Sequence, residues 1–100
     1  MKKTSQSANG TSFHDTTICC SVATLKEVLG DPDYDGNDGQ DKVNFEWVME
    51  TENGDVFTVY DWKEYHSLSE NQTVTWHIGG NNAGVTKNAK LEIRKAIHNH

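Results

Sequence analysis

The chain has 100 residues, of which 34% are hydrophobic and 24% are charged, and its formal net charge is −6. This length predicts one domain with a modest core, and the apolar fraction is low but above that of disordered chains. The negative charge argues against a general nucleic-acid or membrane-surface binder, and no segment is apolar over enough residues to cross a membrane.

The N-terminal segment is polar with small side chains. We expect residues 1–11 to form a disordered arm ahead of a single domain over residues 12–100. Lysines at positions 2 and 3 resemble the start of a signal peptide, but no apolar segment follows them. Residues 12–20 are rich in β-branched side chains and favour a strand at an edge of the sheet.

The two cysteines, Cys19 and Cys20, are adjacent at the end of this strand. Neighbouring cysteines rarely form a disulfide, and two cysteines provide no disulfide framework. The pattern therefore predicts a soluble protein of a reducing cytoplasm.

A short helix follows. Ser21 can cap its N-terminus, Gly30 suits the left-handed position after its last turn, and Pro32 prevents its continuation. Its apolar residues share one face at helical spacing, and they are Val22, Leu25, Val28 and Leu29.

Two alternating apolar runs flank the turn Glu52-Asn53-Gly54-Asp55 and predict a β-hairpin. Asn-Gly favours a two-residue type I′ turn, because both residues tolerate a positive φ. That turn places Trp47 opposite Tyr60 and Phe45 opposite Trp62, so these rings share the core face. The second face then carries a small apolar patch of Val48, Phe57 and Val59, which needs cover from the N-terminal strand or from another subunit.

A third run, residues 73–78, alternates again, with Val74, Trp76 and Ile78 pointing inward. Residues 79–84 read as a flexible loop, and Thr86 can cap a last helix with a basic exposed side. Together these elements predict an α+β fold. It comprises a four-stranded antiparallel sheet, made of the N-terminal strand and a three-stranded meander, with two helices packed on one face.

The acidic stretch from Asp31 to Asp41 matches only the first half of an EF-hand calcium loop. The glutamate that such a loop needs is replaced by Lys42, and Pro32 and the following strand exclude the flanking helices. The five histidines and two cysteines show no zinc-ligand spacing. We therefore predict no metal site and read the acidic stretch as a solvated turn.

The sequence also shows no catalytic constellation. The cysteines lack a neighbouring base, and the spacing of the carboxylates singles out no acid–base pair. We expect a protein that is not an enzyme and that needs no cofactor.

A binding site for a small molecule is the remaining option. Residues 1–80 contain five basic and fourteen acidic side chains, whereas residues 81–100 contain four basic and one acidic. A basic C-terminal segment can contact an anionic ligand, amides can read base edges, and arginine binds phosphate with two hydrogen bonds. The predicted ligand-binding residues are His77, Gly79, Gly80, Asn81, Asn82, Lys90 and Arg94. The competing interpretation is structural, with glycines that only turn the chain and a solvated basic helix face.

Four segments of the sequence resemble those of a known family. They are F-E-W at 45–47, V-F-T-V-Y-D-W-K at 56–63, W-H-I-G-G at 76–80, and the leucine-containing helix from Ser21 to Gly30. Over roughly residues 20–80 the chain resembles the first-described Thoeris anti-defence sponges of phages. The resemblance implies an oligomer in the bacterial host cytoplasm that binds cyclic ADP-ribose-type signals, or cyclic oligonucleotides, without cleaving them. The matching positions for the ligand are the residue 79–82 loop and the last helix.

Two other functions stay open. One is a phage inhibitor, similar to an anti-CRISPR, that binds a host defence protein through the acidic stretch. The other is a structural phage component, which predicts a large assembly and no nucleotide pocket.

Overall fold

The computed structural model of the chain describes residues 1–39 and 42–99. Its elements, in chain order, are β1 (Lys2–Lys3), β2 (Ser12–Ser21), α1 (Val22–Leu29), β3 (Tyr34–Asp35), β4 (Phe45–Glu50), β5 (Val56–Tyr60), β6 (Thr73–Gly80) and α2 (Ala83–His98). Asp41, the last residue of the acidic stretch, lies outside the described residues. No described helix combines the length and the apolar character that crossing a bilayer requires.

The strands form one open antiparallel sheet in the order β1-β4-β5-β6-β2, with β3 also paired to β4. The predicted α+β class is confirmed, but the predicted number of strands is wrong, because the sheet has six. The two additional strands are β1 and β3, which pair with different halves of the outer edge of β4. Strands of two residues have no hydrophobic period, so the sequence pattern contains no signal for them.

The N-terminal arm, predicted as disordered, carries β1 and continues along the end of the sheet that holds the β4–β5 loop. Gln6 donates a hydrogen bond from Nε2 to the Gly54 carbonyl (3.2 Å). The Met1 α-amino group lies 3.2 Å from the Glu92 carboxylate of α2. Polar contacts, rather than apolar burial, thus attach most of the arm, which explains why its composition resembles that of a disordered segment.

The hairpin differs from the prediction by one residue of register. Trp47 pairs with Val59 instead of Tyr60, because the loop contains three residues rather than two. The Gly54 amide donates to the Thr51 carbonyl (2.9 Å), and Gly54 has φ +83°. This geometry is a turn followed by a left-handed glycine bulge, the usual form of a three-residue hairpin loop.

A register change of one residue exchanges the faces of β5. Phe57 and Val59, predicted on the second face, are buried under the helices with an exposed fraction of 0%. Tyr60 and Trp62, predicted in the core, face away from it, and Trp62 is 41% exposed. We name the sheet face opposite the helices the outer face.

The helices cover the other face. The helix α1 has the predicted caps, since the Ser21 hydroxyl accepts from the Thr24 amide and Gly30 has φ +85°. Trp47 donates its indole N–H to the Gly30 carbonyl (2.9 Å), which ties α1 to the sheet. The core between the layers contains Ile18, Val22, Leu25, Leu29, Phe45, Trp47, Met49, Phe57, Val59, Leu68, Val74, Trp76, Ile78, Val85, Ala89 and Ile93.

The helix α2 begins four residues before the predicted start. Its N-cap is Asn82, whose side chain accepts a hydrogen bond from the Val85 amide (3.0 Å), and not Thr86. Thr86 lies inside the helix and is buried. The predicted 79–84 loop is therefore divided between the end of β6, the cap and the first turn of α2.

The segment after β5 is fixed by one buried carboxylate. Asp61 is fully buried and accepts hydrogen bonds from the Asn44 amide (2.8 Å) and the Phe45 amide (2.9 Å). Asn44 in turn donates from Nδ2 to the His66 carbonyl (3.0 Å). These bonds hold the segment around Trp62 against the start of β4.

Candidate functional site

A cavity of about 530 Å³ lies between the edge strand β2 and the helix α2. Its volume is within the usual range of small-molecule sites. Three of its lining residues are one helical turn apart on α2, at positions 90, 94 and 98. The full lining is Thr17, Ile18, Cys19, Lys90, Arg94, Ile97 and His98, and we name this site the cationic cavity.

The cavity has a positive electrostatic character because none of its lining residues is acidic. Neither Lys90 nor Arg94 forms an ion pair with a carboxylate among the residues that the structure describes. Lys26 and Lys3, by contrast, are paired with Glu70 (2.7 Å) and Asp33 (3.2 Å). The two cations of the cavity are thus available to an anion from solution.

An irregularity in β2 joins the strand to α2 beside this cavity. The pairing with β6 is interrupted between Phe13 and Thr17, and Asp15 in this interval has φ +62°. Thr16 is thereby turned toward α2, where its hydroxyl lies 2.7 Å from the Thr86 hydroxyl in a buried hydrogen bond. The bulge fixes the distance between the two walls of the cavity.

The structure separates the predicted site residues into two groups. Lys90 and Arg94 line the cationic cavity, whereas Gly79 lines a groove on the outer face. His77 also lies on the outer face, where its ring contacts Phe13 and Tyr60.

The other three predicted residues have structural surroundings. A Cβ on Gly80 would lie 3.0 Å from a Val85 methyl group, so this glycine allows α2 to approach β6 closely. Asn82 uses its side-chain oxygen as the helix cap. Asn81 is exposed at the turn between the two elements.

The groove on the outer face is smaller, about 260 Å³. We name it the outer groove, and it is lined by Thr11, Ser12, Val43, Glu46, Thr58, Tyr60, Trp62 and Gly79. Tyr60 and Trp62 were predicted in the core, so this site was not predicted. A three-residue hairpin loop turns both rings outward, so predicting that loop length would have predicted this site.

A continuous row of rings extends along this face. The centroid distances are 6.2 Å between Trp62 and Tyr60, 5.6 Å between Tyr60 and His77, and 4.6 Å between His77 and Phe13. Within the described part of the chain, His77 Nδ1 is the one buried side-chain polar atom without a hydrogen-bond partner. Aromatic rings with partial exposure and a few polar groups are the usual walls of a binding site.

Glu46 lies in the middle of this surface. Its pairing partners are Tyr34 on β3 and Tyr60 on β5, so it has a tyrosine on each side. Burial, together with the Asp33 carboxylate, raises the pKa of Glu46. Burial and the charge of Glu46 likewise raise the pKa of the Tyr60 hydroxyl, which stays a hydrogen-bond donor at neutral pH.

The loop that presents Trp62 has an unusual backbone. Lys63 and Tyr65 both have a positive φ, +55° and +53°, which is uncommon for residues other than glycine. The Lys63 and Lys42 ammonium groups lie 5.6 and 5.8 Å from the centroid of the Trp62 ring. Backbone strain of this kind is concentrated at functional loops.

The two cysteines are free thiols in different surroundings. Cys19 is exposed and lines the cationic cavity. Cys20 is partly buried, and burial, with Cys19 beside it, raises the pKa of the Cys20 thiol to about 11. Cys20 is therefore protonated and unreactive at neutral pH.

The acidic stretch has a structural role at one point. The Asp33 carboxylate accepts from the Val48 amide (2.7 Å), and Lys3 donates to both the Asp33 carboxylate and the Asp31 carbonyl. Over residues 1–39 and 42–99, no group of three or more His, Cys, Asp or Glu side chains is arranged to hold a metal ion.

Comparison of the chain with protein-family models, with curated proteins and with solved structures gave no match. The site geometry and the sequence pattern are therefore the basis of the functional proposal.

Proposed function

We propose that this protein is a phage anti-defence sponge that binds a cyclic nucleotide immune signal and sequesters it without cleaving it. The ligand is a cyclic ADP-ribose isomer or a cyclic oligonucleotide, and the site is the cationic cavity. The observation that carries the proposal is the pair of unpaired cations, Lys90 and Arg94, in a cavity of ligand size on an acidic protein. The resemblance of residues 20–80 to the Thoeris anti-defence sponges supports the same ligand class.

The chemistry of the cavity suits a phosphate-bearing ring. Arg94 can donate two parallel hydrogen bonds to a phosphate, and Lys90 adds a point charge one turn away. The side chains of Ile18 and Ile97 provide an apolar wall for a base or a ribose.

Sequestration acts by mass action in the host cytoplasm. The free signal falls only when the sponge sites outnumber the signal molecules and bind them more tightly than the effector does. A homo-oligomer raises the number of sites per assembly, and the open edge of β2 beside the cavity is available for contact between copies.

The first test is calorimetric titration of the full chain with cyclic ADP-ribose isomers and with cyclic di- and trinucleotides. We expect tight binding of one of them and recovery of the intact ligand after heat denaturation. Absence of binding by every member of the set would refute the proposal, and recovery of a cleaved product would refute sequestration.

The residue-level prediction concerns Arg94→Ala. Loss of a hydrogen bond to a charged group costs about 1.5–3 kcal/mol, so the Kd should rise roughly 10- to 100-fold. The matched control is Lys87→Ala, which removes one positive charge from the exposed side of the same helix, away from the cavity lining. Equal effects of the two variants would show that the helix acts only through its overall charge.

The alternative, a protein that inhibits a host defence protein through an acidic surface, is favoured by one observation. The carboxylates of Asp31, Asp33, Asp35 and Asp38 are all exposed on the segment that flanks β3. Neutralisation of Asp31 and Asp35 as asparagines distinguishes the two functions. It should leave nucleotide binding unchanged in a sponge, and it should abolish inhibition in the alternative.

A further inference from the structure

We propose that the outer groove binds the guanidinium group of an arginine side chain, presented by a partner protein. The site lies on the sheet face away from the cationic cavity, and it goes beyond the proposed function because it requires a ligand of opposite charge.

The anionic half of the site is Glu46. Its side chain has no hydrogen-bond or ion-pair partner within residues 1–39 and 42–99, although it is partly buried between two tyrosines. Asp33, although paired with Lys3, lies close enough to oppose ionisation of Glu46. A carboxylate in such surroundings is stabilised by a cation, and two N–H groups of a guanidinium match its two oxygens.

The aromatic half of the site explains the choice of guanidinium. Tyr60 stacks on His77 at an interplanar angle of 27°, and Trp62 lies at 82° to Tyr60 on the other side. A planar guanidinium can therefore stack on a ring while it bonds to Glu46. An ammonium group has no planar surface for stacking and is more strongly hydrated.

The lysines near the groove determine which end the ligand occupies. Lys42 and Lys63 lie over Trp62 and repel a further cation there. Among the described residues no lysine or arginine lies over the Tyr60 ring or pairs with Glu46, so the guanidinium is placed between these two side chains. The same lysines would have to contact the phosphate if the groove instead bound a nucleotide, which provides a test.

The ligand is assigned to a protein because the aromatic rings in and beside the groove are exposed. Trp62 is 41% exposed and Phe13 is 40% exposed, so much of the ring surface stays open after one side chain is bound. Interfaces between proteins use aromatic and arginine side chains as their main anchors. A free amino acid would also bring its own carboxylate next to Glu46 and Asp33, which is unfavourable.

The experiment uses ¹H–¹⁵N NMR of the full chain with the amide-capped tripeptide acetyl-Gly-Arg-Gly-NH₂. The indole signals separate by environment, because Trp47 and Trp76 are fully buried and donate to carbonyl groups, whereas Trp62 is exposed. We expect saturable shifts at Trp62 and Tyr60. Binding of the citrulline tripeptide, which has the same shape without the charge, and of free L-arginine should each be at least fivefold weaker.

Variants complete the test. Glu46→Gln should weaken binding of the arginine tripeptide at least fivefold, whereas Glu50→Gln, on the same face of β4 but outside the groove, should not change it. Lys63→Ala should not weaken it. The proposal is overturned by equal binding of the citrulline tripeptide or of free L-arginine, by unchanged binding in Glu46→Gln, or by binding of AMP that depends on Lys63.

Discussion

At Glu46, two effects oppose ionisation of the side chain, burial and then the nearby Asp33 carboxylate. A group with a raised pKa in the folded state holds more protons there than in the unfolded chain. Stability therefore decreases as pH rises through and above the ordinary carboxyl range near 4.5. At neutral pH the ionised side chain therefore lowers the stability of the fold.

Glu46→Gln should consequently raise the melting temperature at pH 7, because the amide has no charge to desolvate. The gain should shrink as pH falls and disappear below about pH 4, where the wild-type carboxyl is protonated in both states. Thermal melts of both proteins between pH 3.5 and 7.5 measure the difference. A variant that is less stable than wild type at pH 7 would show that Glu46 forms a stabilising contact.

Other residues show where sequence reasoning reaches its limit. Ser21 and Gly30 were predicted correctly as helix caps, since capping depends on local chemistry. Asn82 was assigned to a ligand because an exposed amide can cap a helix or bind a base with equal ease. The structure assigns its oxygen to the Val85 amide, a distinction that depends on where α2 begins.

At the scale of the elements, the β4–β5 hairpin was predicted correctly, but the register of its strands was not. Asn53-Gly54 favours a two-residue loop, yet that loop would place Phe57 and Val59 on the outer face and Tyr60 in the core. The observed loop buries both fully apolar side chains and leaves Tyr60 only partly buried, on the outer face. Burial across the whole sheet thus determined the register, and a local turn signal could not anticipate it.

The two loop forms require different backbone conformations at Asn53. A type I′ turn needs a positive φ at both Asn53 and Gly54, whereas only Gly54 has one here. Gly54→Ala should lower the free energy of unfolding by about 1 kcal/mol, since its Cβ would meet the Glu50 carboxylate at an ordinary contact distance of 3.7 Å and only the backbone is strained. Asn53→Ala should change it by less than about 0.5 kcal/mol. Urea unfolding curves measure both, and a large loss in Asn53→Ala would contradict the three-residue loop.

For the whole molecule, the N-terminal arm is an integral part of the sheet. It supplies β1, and its last residue, Thr11, lines the outer groove. Val56 faces away from the helices and is still only 7% exposed, in the region where Gln6 contacts the adjacent loop. The predicted second-face patch of Val48, Phe57 and Val59 does not form, because Phe57 and Val59 pack under the helices, and Val56, predicted in the core, is the apolar side chain in the region of the arm.

Removal of residues 1–11 tests this role. We expect the free energy of unfolding to fall by roughly 2 kcal/mol as Val56 and the edge of β4 lose their cover. Hydrogen exchange of the Met49 and Glu50 amides should become faster, whereas exchange in β6 should change little. A truncated chain as stable as the full one would support the disordered arm that the sequence predicts.

The edge of β4 has a consequence for how copies of this protein can associate. The strands β1 and β3 occupy its two ends, and the Asp33 carboxylate accepts the Val48 amide in the gap between them. This side is closed to strand addition, while β2 is paired with β6 alone among the strands of residues 1–39 and 42–99. Association through backbone pairing can therefore use one edge per molecule. Two copies joined at β2 leave no further edge, so such growth stops at a two-fold dimer and cannot produce a filament.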